Sequence, residues 1–181
     1  MLTIVIPEAE LFDHSTQEFV TVKAQTISLE HSLVSIQKWE SRWKKPFLAT
    51  MNERTYDELI DYIKCMTITK NVDPLIYKNL TKDVFEKINR YINDEMTATT
   101  FRDDKRGSGR EIVTAELIYF WMVNFGIPFE CKKWHLNQLL TLIKVCAIKA
   151  EASEKKMSKS EIMRQNQEIN ALRRKRLNSK G

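Results

Sequence analysis

Ser32-Leu33-Val34-Ser35-Ile36-Gln37-Lys38-Trp39-Glu40-Ser41-Arg42-Trp43 is the stretch on which the fold turns. Leu33, Ile36, Trp39 or Glu40, and Trp43 recur at helical spacing, and the pattern stops before Pro46, whose ring disfavours the helical conformation in the residue ahead of it. On the N-terminal side the period is that of strands. Residues 3–6 are short and β-branched, Pro7 interrupts them, and Leu11-Phe12 is separated from Phe19-Val20-Thr21-Val22 by the polar run Asp13-His14-Ser15-Thr16-Gln17, which reads as a hairpin turn. Residues 26–30 add a further extended piece. The expected fold is therefore α+β and mostly helical: a small N-terminal β-hairpin region, then a helical bundle, then a C-terminal basic helical arm.

On the C-terminal side of the decisive stretch, Thr55 with Glu58 forms a capping box ahead of Tyr56, Leu59, Ile60, Ile63 and Met66 on one helix face. Asp73-Pro74 opens a short helix to about Leu80, and Thr81 caps another that carries Val84, Phe85, Ile88, Tyr91 and Ile92. Residues 96–110 have no periodic apolar face and read as an exposed connection. Leu117, Ile118, Trp121, Met122 and Phe125 make an apolar helix ended by Gly126 and Pro128, and a last helix is expected over residues 131–148. These two are expected to pair as a helical hairpin at the centre of the core, through Trp121, Met122, Phe125, Leu139, Leu140 and Ile143.

The 181 residues are 43% apolar and 29% charged, enough for one compact body and too few for a multidomain enzyme. Only 4 Gly and 4 Pro argue against sandwiches, barrels and propellers, which need many tight turns. With neither a membrane-length apolar run nor a secretory signal, the chain reads as cytosolic. Cys65, Cys131 and Cys146 are too few and too scattered for a disulfide framework or a zinc ribbon, so reduced and mostly buried thiols are expected.

The net charge of +5 is unevenly placed. Residues 1–148 hold 19 Lys+Arg against 20 Asp+Glu, whereas residues 149–181 hold 10 against 4. A near-neutral body has no general field for polyanions, so that question narrows to the last thirty-odd residues. Aromatic residues also end before Ile148, which sets the expected division into a folded body, 1–149, with 1–31 mainly β and 32–149 mainly helical, and an arm, 150–181.

Features that could carry chemistry are few. Gly107-Ser108-Gly109 after Lys105-Arg106 lacks the spacing and the preceding strand of a phosphate-binding loop. Cys131 and His135 stand four apart, so one helix face would offer both to a metal or as a thiolate-imidazole pair; His14 and His31 lie elsewhere, and zinc needs three or four ligands. A core cysteine beside a partly buried histidine is the favoured reading. Asp94-Glu95 and Asp103-Asp104 fit helix ends and loops. Trp39 and Trp43, flanked by Lys38, Arg42, Lys44 and Lys45, would suit base stacking in a basic groove, but a core stripe edged by snorkelling lysines is favoured. No enzyme, cofactor or metal site is indicated.

The arm carries the candidate partner-binding residues. Ser158 and Glu161 form a capping box, Ile162, Ile169 and Leu172 make a narrow stripe, and Arg173, Arg174, Lys175 and Arg176 end it. So thin a stripe is marginal as an isolated helix and gains order by docking. The basic run fits an acidic partner surface best; nucleic-acid contact and simple solvation stay open.

Residues 29–43, Leu-Glu-His-Ser-Leu-Val-Ser-Ile-Gln-Lys-Trp-Glu-Ser-Arg-Trp, with Lys45-Pro46-Phe47-Leu48, Met96-Thr97-Ala98-Thr99-Thr100-Phe101, residues 127–137 from Ile127 to Asn137, and the ending Arg174 to Gly181, resemble those of tailed-bacteriophage tail assembly chaperones. The resemblance spans most of the chain. It implies a non-enzymatic protein of the host cytoplasm that binds the tape measure protein and keeps it soluble while tail-tube subunits assemble. It further implies a homo-oligomer, several copies per tape measure, and often a longer frameshifted form. The alternatives from other classes are a virion structural protein of the tail or neck, and a small nucleic-acid-binding protein acting through its arm.

Overall fold

The computed structural model describes residues 1–13, 17–51, 53–99, 101, 112–154, 163–164 and 166–170. The fold is α+β and mostly helical. The first strands are β1 (Leu2–Ile6), β2 (Ala9–Asp13), β3 (Glu18–Val22) and β4 (Gln25–Leu29). β1 pairs antiparallel with β4, Leu2 opposite Leu29 and Ile6 opposite Gln25, and β2 pairs with β3, Ala9 opposite Val22 and Asp13 opposite Glu18. Both ladders keep one register, so the four strands are one two-stranded ribbon broken at Pro7-Glu8 and Lys23-Ala24. Pro7 has no N–H for a ladder, and its carbonyl instead accepts from Asn79 Nδ2 at 2.9 Å.

The break changes which alternate positions face inward, because Ile6 and Ala9 stand three positions apart, an odd step. In the inner half the buried face is Ile4 and Ile6 with Ile27 and Leu29; in the outer half it is Val22, with Leu11 and Val20 half-buried. Phe12 and Phe19 fall on the other side of the outer half. They are 45% and 71% exposed and meet edge to face, centroids 5.2 Å apart.

α1 (Leu33–Trp43) follows at once. Ser35 supports its first turn, its hydroxyl donating to the Ser32 carbonyl at 2.7 Å and accepting the Ser32 N–H at 3.0 Å. The helix ends at Lys44, which takes a left-handed φ of 54° and donates its N–H to the Glu40 carbonyl. Leu33, Ile36 and Trp39 are buried, as their spacing predicts. Burying each such side chain contributes roughly 1.5–3 kcal/mol. α2 (Tyr56–Met66) starts with the Thr55–Glu58 capping box. Its end closes the free edge of β4: Glu30 N–H donates to the Met66 carbonyl at 2.8 Å and Ile68 N–H to the Ser28 carbonyl at 2.9 Å. A 3₁₀ turn (Pro74–Lys78) and α3 (Lys82–Asn93) follow, capped by Asp73 and Thr81.

α4 (Ala115–Asn124) ends in a left-handed Gly126, with Ile127 N–H returning to the Met122 carbonyl at 2.8 Å and Gly126 N–H to Val123 at 3.1 Å. That glycine closes the helix without a Cβ penalty. The expected helix over 131–148 is corrected by the structure. Residues Phe129–Lys133 form a 3₁₀ turn, Trp134 is extended, and α5 spans Leu136–Glu154. Pro128 starts the short turn, and the Leu136 N–H is taken by the His31 carbonyl at 2.9 Å, which seats the start of α5 against the β4–α1 junction. The expected α4–α5 hairpin is likewise replaced. The main helix contacts are those of α1 with α2 and α4, so α1 is the centre of the core. Met122, Leu139 and Ile143 are buried, whereas Trp121, Phe125 and Leu140 are half-buried. Tyr56 and Leu59, expected on the inner face of α2, are exposed.

The chain divides into one unit of Met1–Ile143 and a second beginning at Lys144, a division that falls within α5. No helix among the described residues is long and apolar enough to cross a membrane.

Candidate functional site

Polar chemistry inside the first unit gathers where β4 runs into α1. His31 and His135 are both buried, their rings edge to face with centroids 5.0 Å apart. His31 Nδ1 is 2.5 Å from the Tyr62 hydroxyl of α2, which also lies 3.3 Å from Ser35 Oγ. His135 Nε2 donates to the Tyr91 carbonyl of α3 at 2.9 Å, which leaves Nδ1 buried with no hydrogen-bond partner. Burial, the nearby His135 and the Arg54 charge push the His31 imidazole down to about 3. Burial also lowers His135, against the Tyr91 carbonyl and Asp94. Both are neutral core groups that join β4, α2, α3 and the start of α5.

Beside them Arg54 lies over the Phe47 ring, 3.5 Å from its centroid, with Trp39 at 5.1 Å, and donates to the Phe47 carbonyl. Two carboxylates are equally committed. Glu40 accepts the Phe47 N–H through Oε1 and the Ala115 N–H through Oε2, each at 2.8 Å, and so ties α1 to the first residue of α4. Glu58 accepts from Lys45 Nζ at 2.6 Å and from Thr55 N–H at 2.8 Å, and these bonds hold its carboxyl below the usual carboxylate range.

Other sequence candidates land as follows. Cys131 lies in the 3₁₀ turn and His135 beyond the extended Trp134, so the pair does not share a helix face. Among the described residues no group of three His, Cys, Asp or Glu could hold a metal ion. Trp39 is core, fully buried with Nε1–H donating to the Glu58 carbonyl at 3.0 Å, whereas Trp43 is half-buried and its Nε1–H donates to Asp61 Oδ2 at 3.0 Å. His14, Asp103-Asp104 and Gly107-Ser108-Gly109 lie outside the described residues. A cleft of about 550 Å³ between the end of α1 and the start of α4 is lined by Glu40, Lys44, Lys45, Ile112, Thr114 and Glu116. Two of these charges are already spent on the bonds above, and the rest cancel, so the cleft selects no ligand charge.

What the fold leaves uncovered is apolar. α4 is nonpolar around most of its circumference, and only part of it is covered. Phe120 is 61% and Val123 63% exposed, one turn apart. Tyr119 faces Phe129 at 6.3 Å between centroids, and its hydroxyl donates to Gln37 Oε1 at 3.1 Å. Scattered apolar side chains on a surface are ordinary, but two large ones exposed side by side on one helix face form a contiguous patch suited to contact. Sequence reasoning placed Leu117, Ile118, Trp121, Met122 and Phe125 on this helix and gave Phe120 and Val123 no role, so it missed this face.

In the arm, residues 163–164 and 166–170 are helical. Ile169 is 40% exposed, Met163 is exposed, and Arg164 pairs with Glu168 at 3.4 Å. The remaining candidate partner-binding residues, Ile162, Leu172, Arg173, Arg174, Lys175 and Arg176, lie outside the described residues.

No family model, curated protein or solved structure matches the chain. The functional reading therefore rests on the surfaces above and on the resemblance carried by residues 29–48, 96–101 and 127–137. The first of these segments holds His31, Ser35, Trp39, Glu40 and Phe47, which organise the core.

Proposed function

We propose that this protein is a tail assembly chaperone that binds the tape measure protein of a tailed bacteriophage and keeps it soluble in the host cytoplasm during tail-tube assembly. The observation that carries the reading is the exposed Phe120–Val123 face of α4. A long helical client is held by repeated apolar contacts along helix faces, without any catalytic pocket. The polar groups best suited to chemistry, His31, His135, Glu40 and Glu58, are occupied in structural bonds, which favours a non-enzymatic role. The basic arm adds contacts to an acidic or helical partner, and several copies act on one client.

Co-expression with the tape measure protein is the test. Wild type should keep the client in the soluble fraction, and Phe120→Asp with Val123→Asp should lose that effect while the body remains folded. If the double variant protects the client as well as wild type, α4 is not the client surface. Finding the chain at stoichiometric levels in purified particles would replace the reading with a virion structural role.

A further inference from the structure

The net negative charge of the body lies in its first 22 residues. Residues 1–22 contain Glu8, Glu10, Asp13 and Glu18 and no Lys or Arg, whereas residues 23–148 hold 19 Lys+Arg against 16 Asp+Glu. Glu8, Glu10 and Glu18 are exposed, and among the described residues no cation pairs with any of them. The outer half of the ribbon adds the exposed Phe12 and Phe19 on one face, and among the described residues its strands pair only with each other. A two-stranded hairpin with both edges open is marginal alone and readily gains from a partner. At the other end of the chain the arm, 150–181, carries 9 Lys+Arg against 4 Asp+Glu, with Met163 and Ile169 exposed on its helical part.

We propose that the β2–β3 hairpin is a docking site for the basic arm of a second copy of this chain, Phe12 and Phe19 receiving the apolar side of the arm and Glu8 and Glu10 its cations. The two surfaces are complementary in sign, both are amphipathic, and one chain supplies them in equal number. Each copy then has one acceptor and one donor, so the contact is head to tail and closes into a ring or extends as a chain. The inference does not rest on the client proposed above, because it concerns the protein alone.

Sedimentation velocity on the full-length chain over a range of concentrations, at low and high salt, reads it out. Wild type should associate as concentration rises at low salt and dissociate at high salt, where exposed charges are screened. Glu8→Lys with Glu10→Lys should weaken association at least about tenfold, since it sets like charges against the arm. Phe19→Ser should weaken it as well. Both variants change exposed positions, so the thermal unfolding midpoint should stay at the wild-type value. An arm variant with Arg173, Arg174, Lys175 and Arg176 all changed to Glu should also fail to associate alone, and mixing it with the reversed hairpin variant should restore assembly. The proposal is overturned if wild type stays monomeric at every concentration, as it would if the arm docked on its own hairpin. It is equally overturned if the reversed hairpin associates like wild type or if the mixture does not recover.

Discussion

The imidazole of His31 packs edge to face on that of His135, with the two centroids 5.0 Å apart and both rings buried. The groups facing the pair are Arg54, Tyr62 and Ser35 on the His31 side, and Tyr91, Asp94 and the amino terminus on the His135 side. Because the folded imidazoles resist protonation, the unfolded chain binds more protons. Stability is full above the ordinary histidine value of about 6.5 and falls as pH drops through the range down to about 3 for His31. Below pH 6 the loss from His31 should approach about 1.4 kcal/mol per pH unit. Denaturant unfolding at a series of pH values checks this, and His31→Gln should flatten the dependence. A slope that is unchanged in that variant would show that carboxylates cause the acid loss.

Glu40 spans two backbone amides that have no other acceptor among the described residues. Glu40→Ala leaves the N–H groups of Phe47 and Ala115 buried and unpaired, which should cost about 2–4 kcal/mol. Glu40→Gln should also destabilise, because its amide NH₂ group must face one of two donors. Equilibrium unfolding of both variants measures this. A loss under about 0.5 kcal/mol in the alanine variant would mean that water replaces the carboxylate at both sites.

Neighbouring leucines on α5 should respond differently to truncation. Leu139 is fully buried, so Leu139→Ala should cost about 2–5 kcal/mol. Leu140 is only half-buried, and Leu140→Ala should cost clearly less. Equal losses at the two positions would show that Leu140 lies deeper than the structure places it.

Thiol labelling should separate the cysteines. Burial, reinforced by the Asp61 carboxylate, pushes the Cys65 thiol up to about 11, and Cys131 is also buried, whereas Cys146 is only partly covered. In native protein near neutral pH an alkylating reagent should modify Cys146 first, with Cys65 and Cys131 following only in denaturant. Peptide mass mapping of a time course reads the order.

Legibility in the sequence followed the locality of the interactions. The Ser32–Trp43 period, the Thr55–Glu58 box, the Thr81 cap and the Gly126 stop are decided within a few residues, and each forms where it is expected. The partner of β1 was not legible, because Leu2 meets Leu29 across the whole ribbon. Cys131 to His135 misled for a related reason. Their spacing suits a helix, but Pro128 opens a 3₁₀ turn and the His31 carbonyl, distant in sequence, claims the first amide of α5. The buried roles of His31 and Glu40 also depend on distant residues, and charge near a helix surface ordinarily reads as solvated. The exposed α4 face was hidden by composition, since a helix apolar on all sides gives no sign of which side is left open.

The unbroken register of the ribbon bears on how the chain is made. Every backbone partner within it lies between Leu2 and Leu29, so the hairpin can zip from its turn downward as soon as that length has left the ribosome. Its inner face of Ile4, Ile6, Ile27 and Leu29 finds no cover at that moment, for α1, α2 and α3 have yet to emerge from the ribosome. The nascent chain therefore presents a sticky, half-finished sheet until Asn93 has emerged. Slowing elongation while residues 30–93 are emerging should favour aggregation, whereas a pause after Asn93 has emerged should be harmless.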